Sequence, residues 1–330
     1  MAKILIIRFS SIGDIVLTTP VVRMLAKNGH DVYYLTKEKY REILIHNPYL
    51  SGIFILSDSL SRTLQQVRME NIDFVIDLHR NFRSFKVKVA LRKPARSFHK
   101  LNFYKWLLVN LKLNFLPEKH IVDRYLDTAS EFIAQRDDEG LNYFSGEERK
   151  ALVDLSSILQ SNKYVVLAVG GQHATKRLPL DKLLKVCDQL IFPVVLLGGH
   201  EDRETGEALT RLSVNQVTDL CGRLSLNESA EVIRYAAAVV SHDTGMMHIA
   251  AAYRKNIVSL WGSTVPAFGM YPYLPSQYRQ RSVIIEALDV KCRPCSKLGF
   301  EKCPRLHFHC MEQLQPEEIV AAVKELVVGF

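Results

Sequence analysis

The feature that most constrains this chain is a repeated alternation of short, wholly apolar runs with amphipathic segments. Ile4–Ile7, Val32–Leu35, Ile53–Leu56 and Phe74–Leu78 are rich in β-branched and aromatic residues and are separated by stretches long enough for helices. A run that is apolar at consecutive positions must be covered on both faces, and parallel sheets with crossover helices provide that cover. The pattern pauses at the polar stretch Arg136–Gly140, which reads as a surface turn near a domain boundary. It restarts with Tyr164–Val169, Val194–Leu197, Ala238–Ser241 and Ile257–Trp261, and helices are predicted around Leu180–Leu190, Glu201–Leu212, Glu228–Ala236 and Met246–Tyr253. A last helix, Pro316 to about Val328, opens with proline and with Glu317 and Glu318, where the helix dipole favours acids. The pattern predicts an α/β protein of two Rossmann-like domains, residues 1–155 and 156–330, each of ordinary domain size.

Composition narrows the class further. Hydrophobic residues make up 48% and charged residues 24% of the 330 positions, a globular balance, and no run approaches the roughly 18 apolar residues of a spanning helix. Ile4–Ile7 is too short for a signal-peptide core and no small-residue cleavage site follows, which predicts a cytoplasmic chain. The net charge of +8 is concentrated: ten basic residues and no acid lie between Leu78 and Pro117. Phe82, Phe85, Phe98, Phe103, Tyr104 and Trp106 are interleaved with them. Such a segment attracts a polyanion, whether nucleic acid, an anionic membrane surface or a phosphorylated acceptor. It is equally compatible with a solvated helix face whose aromatic residues sit in the core.

Ligands of open parallel sheets bind beyond the carboxyl ends of the strands, so the strand-to-helix turns carry the functional signal. The first, Arg8-Phe9-Ser10-Ser11-Ile12-Gly13-Asp14, enters a helix predicted to run to about Lys27. Its single glycine makes neither a dinucleotide fingerprint nor a phosphate-cradling loop. It offers a carboxylate, Asp14, which is either a helix cap or a general base. The second turn sets Gly170 and Gly171 against Lys176 and Arg177, which fits a phosphate or a solvated loop. In the third, Gly198-Gly199-His200-Glu201-Asp202, the acids either hold a ribose diol or compensate a helix dipole. The fourth, Ser241-His242-Asp243-Thr244-Gly245-Met246-Met247-His248, presents a helix start whose N–H groups can bind a diphosphate. Trp261-Gly262-Ser263-Thr264 ends the next strand with another small-residue turn.

Ser10-Ser11-Ile12-Gly13-Asp14 after an opening strand, Lys176 ahead of Leu178-Pro179, Asp243-Thr244-Gly245-x-x-His248 and Trp261-Gly262-Ser263-Thr264 occur in the order and spacing of the lipopolysaccharide core heptosyltransferases. Through most of its length the chain resembles that glycosyltransferase family. The resemblance implies the GT-B fold, two Rossmann-like domains with parallel sheets facing a central cleft, the final helix packing back on the first. It implies an ADP-heptose or similar ADP-sugar donor in the second domain and an anionic lipid A–core acceptor in the first. It further implies inverting transfer without metal or cofactor, at the cytoplasmic leaflet of the inner membrane and with no nucleic-acid partner.

Residue by residue, the resemblance implies Asp14 as general base and Lys176, Glu201, Asp243, Thr244, Gly245 and His248 as donor ligands, with Asp202 and Glu204 as competitors for the place of Glu201. Ser10 and the basic residues Arg80, Arg83, Arg96 and Lys100 are expected on the acceptor side. The segment Asp77-Leu78-His79-Arg80-Asn81 departs from many relatives in its basic residue. No Asp-x-Asp occurs in the chain, in keeping with transfer that needs no metal. A nucleotide-sugar epimerase or hydrolase on the same fold would use the second-domain turns equally well without a basic acceptor surface. A nucleic-acid-binding protein would leave Lys176 and Asp243-Thr244-Gly245 without a task. Cys292, Cys295, Cys303 and Cys310 are spaced for a structural zinc, or else remain thiols or form a facultative disulfide.

Overall fold

The computed structural model describes residues 1–146 and 164–329; the domain boundary expected at 155/156 lies outside the described residues. The chain divides into two compact units, one of Met1–Lys100 with Lys119–Gly146, the other of Leu101–Glu118 with the described residues from 164 onward. The first unit carries β1 (Lys3–Ile7), β2 (Asp31–Thr36), β3 (Gly52–Ile55), β4 (Phe74–Asp77) and β5 (Ala95–Ser97) in the order β3-β2-β1-β4-β5, all parallel. Ile4 to Ile7 are fully buried because helices cover both faces of this sheet; Leu5 and Ile7 pack with Leu35, Val75, Val67 and Val87 on one of them.

The second unit repeats the plan with β6 (Val165–Ala168), β7 (Val194–Leu197), β8 (Val217–Asp219), β9 (Ala238–His242), β10 (Asn256–Trp261) and β11 (Ser282–Glu286), in the order β11-β10-β9-β6-β7-β8 and again parallel. Two Rossmann-like units result. In each, the strand order reverses beside the first strand, between β1 and β4 and between β6 and β9. Crevices at such switch points receive ligands, and the turns after β1, β4, β6 and β9 sit there.

Several local features differ from the sequence expectations. β5 and β8 are short edge strands without an apolar run to announce them, and β11, also at an edge, carries the three-residue run Val283–Ile285. The helix expected from the first turn to Lys27 is two helices, Ile12–Val16 and Thr19–Lys27. Pro20 has no N–H to continue the ladder, and the Thr18 and Thr19 hydroxyls instead donate to the Ile15 and Val16 carbonyls, both at 2.7 Å. Arg136–Gly140 is a docked stretch within the first unit. The fully buried Arg23 pairs with Asp137 at 2.6 Å and donates to the Gly140 carbonyl at 2.9 Å.

The final helix, Pro316–Val328, packs on the helix Leu180–Gln189 and on β9 and β10, burying Ile319, Val323 and Leu326 in the core of the second unit. Residues 101–118, expected in the first domain, join the second unit, because Leu108 packs with Val265 and Phe268. Among the described residues no helix is long and apolar enough to cross a membrane.

Candidate active site

In the first unit the site grows out of β1. Arg8, the residue after the strand, is buried, and its guanidinium donates to the Leu78 carbonyl, to the Tyr125 hydroxyl at 3.0 Å and to the Ser10 carbonyl at 2.7 Å. Its remaining nitrogen pairs with Asp14 Oδ1 at 2.6 Å. The other oxygen, Oδ2, accepts from the Ser11 N–H at 3.1 Å and the Ser11 hydroxyl at 2.9 Å. Asp14 therefore caps the helix Ile12–Val16 and carries a buried ion pair as well. Burial pushes its carboxyl up, but Arg8 and the two Ser11 bonds outweigh burial and hold it below the usual carboxylate range. The carboxylate is ionised at neutral pH and kept in one orientation.

The adjoining turn after β4 is organised by buried Asp77. Its carboxylate accepts from the backbone N–H groups of His79 (3.0 Å) and Arg80 (2.7 Å), accepts from the Ser84 hydroxyl (2.9 Å) and pairs with Lys88 at 2.9 Å. This holds Arg80 in a left-handed conformation, φ 49°. His79 lies against Phe9, ring centres 5.0 Å apart. Burial, with Arg8 and Lys100 nearby, pushes its imidazole down to about 4, so it is neutral. Ser10 and Arg80 are thus brought to the strand ends that carry Asp14. Arg83 is exposed on the helix Phe82–Leu91, Arg96 pairs with Glu131 at 3.0 Å, and Lys100 is half-buried. Of the aromatic residues, Phe98 alone is buried, against Tyr125; Phe82, Phe85, Phe103, Tyr104 and Trp106 are exposed, contrary to the reading that puts them in a core.

Arg8→Gln should move the acid limb of the kcat/KM profile upward. Without the guanidinium, burial dominates and raises the Asp14 carboxyl, so activity that the wild type keeps in mild acid is lost. An acid limb that stays in place would show that another group controls it.

In the second unit, Lys176 Nζ lies 2.6 Å from Asp243 Oδ2, which also accepts from the Thr264 hydroxyl at 2.8 Å. This joins the turns after β6, β9 and β10. Thr244 caps the helix Gly245–Ala252 with an extended backbone, φ −140°, and its hydroxyl lies 3.2 Å from that of Ser241. Among the described residues no side chain caps the start of that helix. His248 is buried in the same helix.

His242, at the end of β9, is a positioning residue the sequence reading passed over. Burial pushes it down to about 4, and its Nε2 accepts from the Leu178 N–H at 2.9 Å, so Nδ1 carries the hydrogen toward the Gly170 carbonyl at 3.4 Å. The Gly170–Leu178 loop is pinned at both ends. Arg177 donates to the Gly171 carbonyl at 2.7 Å and pairs with Asp202 at 3.0 Å. Asp202 is buried and bonded to the Gly199 N–H at 2.8 Å, which makes it a framework acid, whereas Glu201 is exposed. A Cβ on Gly170 would meet Asp202 Oδ2 at 2.3 Å, so only glycine allows this approach.

The cysteine segment supports the same turns from beneath. Buried Arg293 donates to the carbonyls of Trp261 (3.0 Å), Gly262 (2.6 Å) and Thr264 (3.1 Å) and pairs with Glu286 at 2.8 Å. The Cys295 N–H reaches the Ser263 carbonyl at 3.0 Å, and the Phe300 N–H reaches the Thr175 hydroxyl at 2.8 Å. All six cysteines are free thiols, and among the described residues no three His, Cys, Asp or Glu side chains are grouped to hold a metal. Cys292 Sγ approaches His307 Nε2 at 3.8 Å.

The turns after β4, β6, β9 and β10 lie within a wider match. Residues 60–301 match the family glycosyltransferase family 9 (heptosyltransferase). The chain is 24% identical to lipopolysaccharide heptosyltransferase 1 of Campylobacter coli over 357 aligned positions, covering 98% of each. It is similar in structure to the glycosyl transferase family 9 protein of Veillonella parvula, with a TM-score of 0.82 at 19% identity over 100% of this chain and 98% of the other. The ADP-heptose LPS heptosyltransferase II of Escherichia coli superposes with a TM-score of 0.75 at 20% identity over 99% of both. The last two show a shared GT-B fold. The chain belongs to glycosyltransferase family 9, the heptosyltransferases, and is a glycosyltransferase.

Proposed function

We propose that the protein transfers a heptose, with inversion and without a resident metal, from ADP-heptose to the lipid A–core region of lipopolysaccharide at the cytoplasmic leaflet of the inner membrane. The observation that carries this reading is the pairing of chemistries at two switch points: an ionised carboxylate, Asp14, fixed at the end of β1, and an ammonium, Lys176, fixed beside the start of the helix Gly245–Ala252. The names of the Campylobacter coli and Escherichia coli relatives support the lipopolysaccharide acceptor and the ADP-heptose donor. In the reaction the acceptor oxygen bonds to the anomeric carbon while the bond from that carbon to the diphosphate breaks. The hydroxyl proton passes to Asp14, and ADP leaves with the electron pair. Asp14 is a weak base, but the attacking hydroxyl becomes strongly acidic as its new bond forms, so a low-pKa carboxylate suffices late in the step. Lys176 and the helix N–H groups take up the charge growing on the diphosphate. Glu201, exposed after β7, serves the ribose.

Donor identity is tested by thermal stabilisation. ADP should stabilise the protein more than UDP or GDP at equal concentration, by about 2.7 kcal/mol when it stands a hundredfold above its Kd. A preference for UDP would overturn the donor assignment while leaving the fold untouched.

A further inference from the structure

Residues 101–118 pack on the second unit by one side only. In the helix Asn102–Leu111, Leu108 is buried against Val265 and Phe268 with Val109 alongside, and the Lys105 ammonium lies 5.5 Å over the Phe268 ring. Lys112 closes the helix: its Nζ donates to the Val109 carbonyl at 2.8 Å and to the carbonyls of Cys292 and Pro294 at 2.9 and 2.8 Å. Lys105, Leu108, Val109 and Lys112 follow helical spacing and share the anchored face. Away from that anchored face, Phe103, Trp106, Leu111, Leu113 and Phe115 are 48–66% exposed. Five large apolar side chains within thirteen residues are a patch and not scattered surface residues.

Charge decides what covers this patch. No acid occurs from Leu78 to Pro117, and the charges within the patch-bearing segment itself are Lys105 and Lys112. A second copy of the chain would set like charge against like charge. A surface that is apolar within and anionic at its face matches both properties, and Trp and Phe are side chains suited to such an interface.

We propose that residues 103–115 are a membrane-insertion element, with Phe103, Trp106, Leu111, Leu113 and Phe115 entering the headgroup and upper acyl region of an anionic bilayer. This deepens the lipid-acceptor reading above and rests on it. The staple by Lys112 then holds the second unit at the surface that bears the acceptor.

Fluorescence reads the insertion directly. The chain has two tryptophans, of which Trp261 is fully buried and Trp106 is 51% exposed. Vesicles of phosphatidylcholine with about a third phosphatidylglycerol, brominated on the acyl chains, should quench Trp106 and shift its emission to the blue, less strongly at high salt. Phe103→Ser with Phe115→Ser should weaken vesicle binding by about tenfold or more, while thermal unfolding and transfer to a deacylated, water-soluble acceptor stay at wild-type values. Vesicle binding that leaves Trp106 unquenched, absence of binding, or lipid-free shielding of Trp106 that grows with protein concentration would each overturn the proposal. Failure of the wild type on the soluble acceptor would instead count against the transferase reading, since quenching requires no turnover.

Discussion

Asp14→Asn should lower turnover by at least about a hundredfold, the scale expected when a general base is lost, with donor affinity unchanged. The asparagine oxygen still accepts the Ser11 N–H, so the start of the helix Ile12–Val16 is kept. What disappears is the charge opposite Arg8, whose other bonds to Leu78, Tyr125 and Ser10 remain. The stability cost should therefore be moderate, about 1–3 kcal/mol, because a buried charge-assisted partner is lost while the guanidinium stays hydrogen-bonded. Cooperative unfolding at a lowered Tm together with a collapsed kcat is the expected combination. Loss of folding with proportionate loss of activity would reduce Asp14 to a cap.

Lys176→Ala should raise the donor KM and slow the chemical step together, by about a hundredfold to a thousandfold in kcat/KM, since the leaving diphosphate gains charge in the transition state. The structure adds a second expectation. Asp243 is the counter-ion of Lys176 and is also held by Thr264. Removing the lysine alone leaves that carboxylate to repel the diphosphate. Lys176→Ala combined with Asp243→Asn should then bind ADP more tightly than Lys176→Ala by itself, a coupling that a double-mutant cycle reads directly. Unchanged donor kinetics in the single variant would return Lys176 to the solvent.

The central strands are legible in the sequence because parallel strands buried on both faces leave unbroken apolar runs such as Ile4–Ile7 and Val194–Leu197. β5, Ala-Arg-Ser at an exposed edge, has no such run. The turns holding Asp14, Lys176 and Asp243 can be found from strand ends and residue types, but their partners cannot. Arg8 after an apolar strand looks the same whether solvated or buried; it is fixed by Leu78 and Tyr125, 70 and 117 positions away. His242 reads as a neighbour of Asp243 until the fold brings Leu178 to its Nε2. Sequence proximity assigns residues 101–118 to the first domain, whereas the groups that hold them, Val265, Phe268 and the Cys292 carbonyl, come much later in the chain. In each case the deciding contact is long-range, and local pattern carries no trace of it.

The measurement that bears most directly on the proposed activity is ADP release from ADP-heptose, followed with and without a lipid A–core acceptor lacking heptose, with mass analysis of the acceptor. Release that depends on the acceptor, matched by one heptose added per ADP formed, is the result this account predicts. Release at the same rate without acceptor, or conversion of the donor to an isomer with the acceptor unchanged, would contradict it and point to a hydrolase or an epimerase on the same fold.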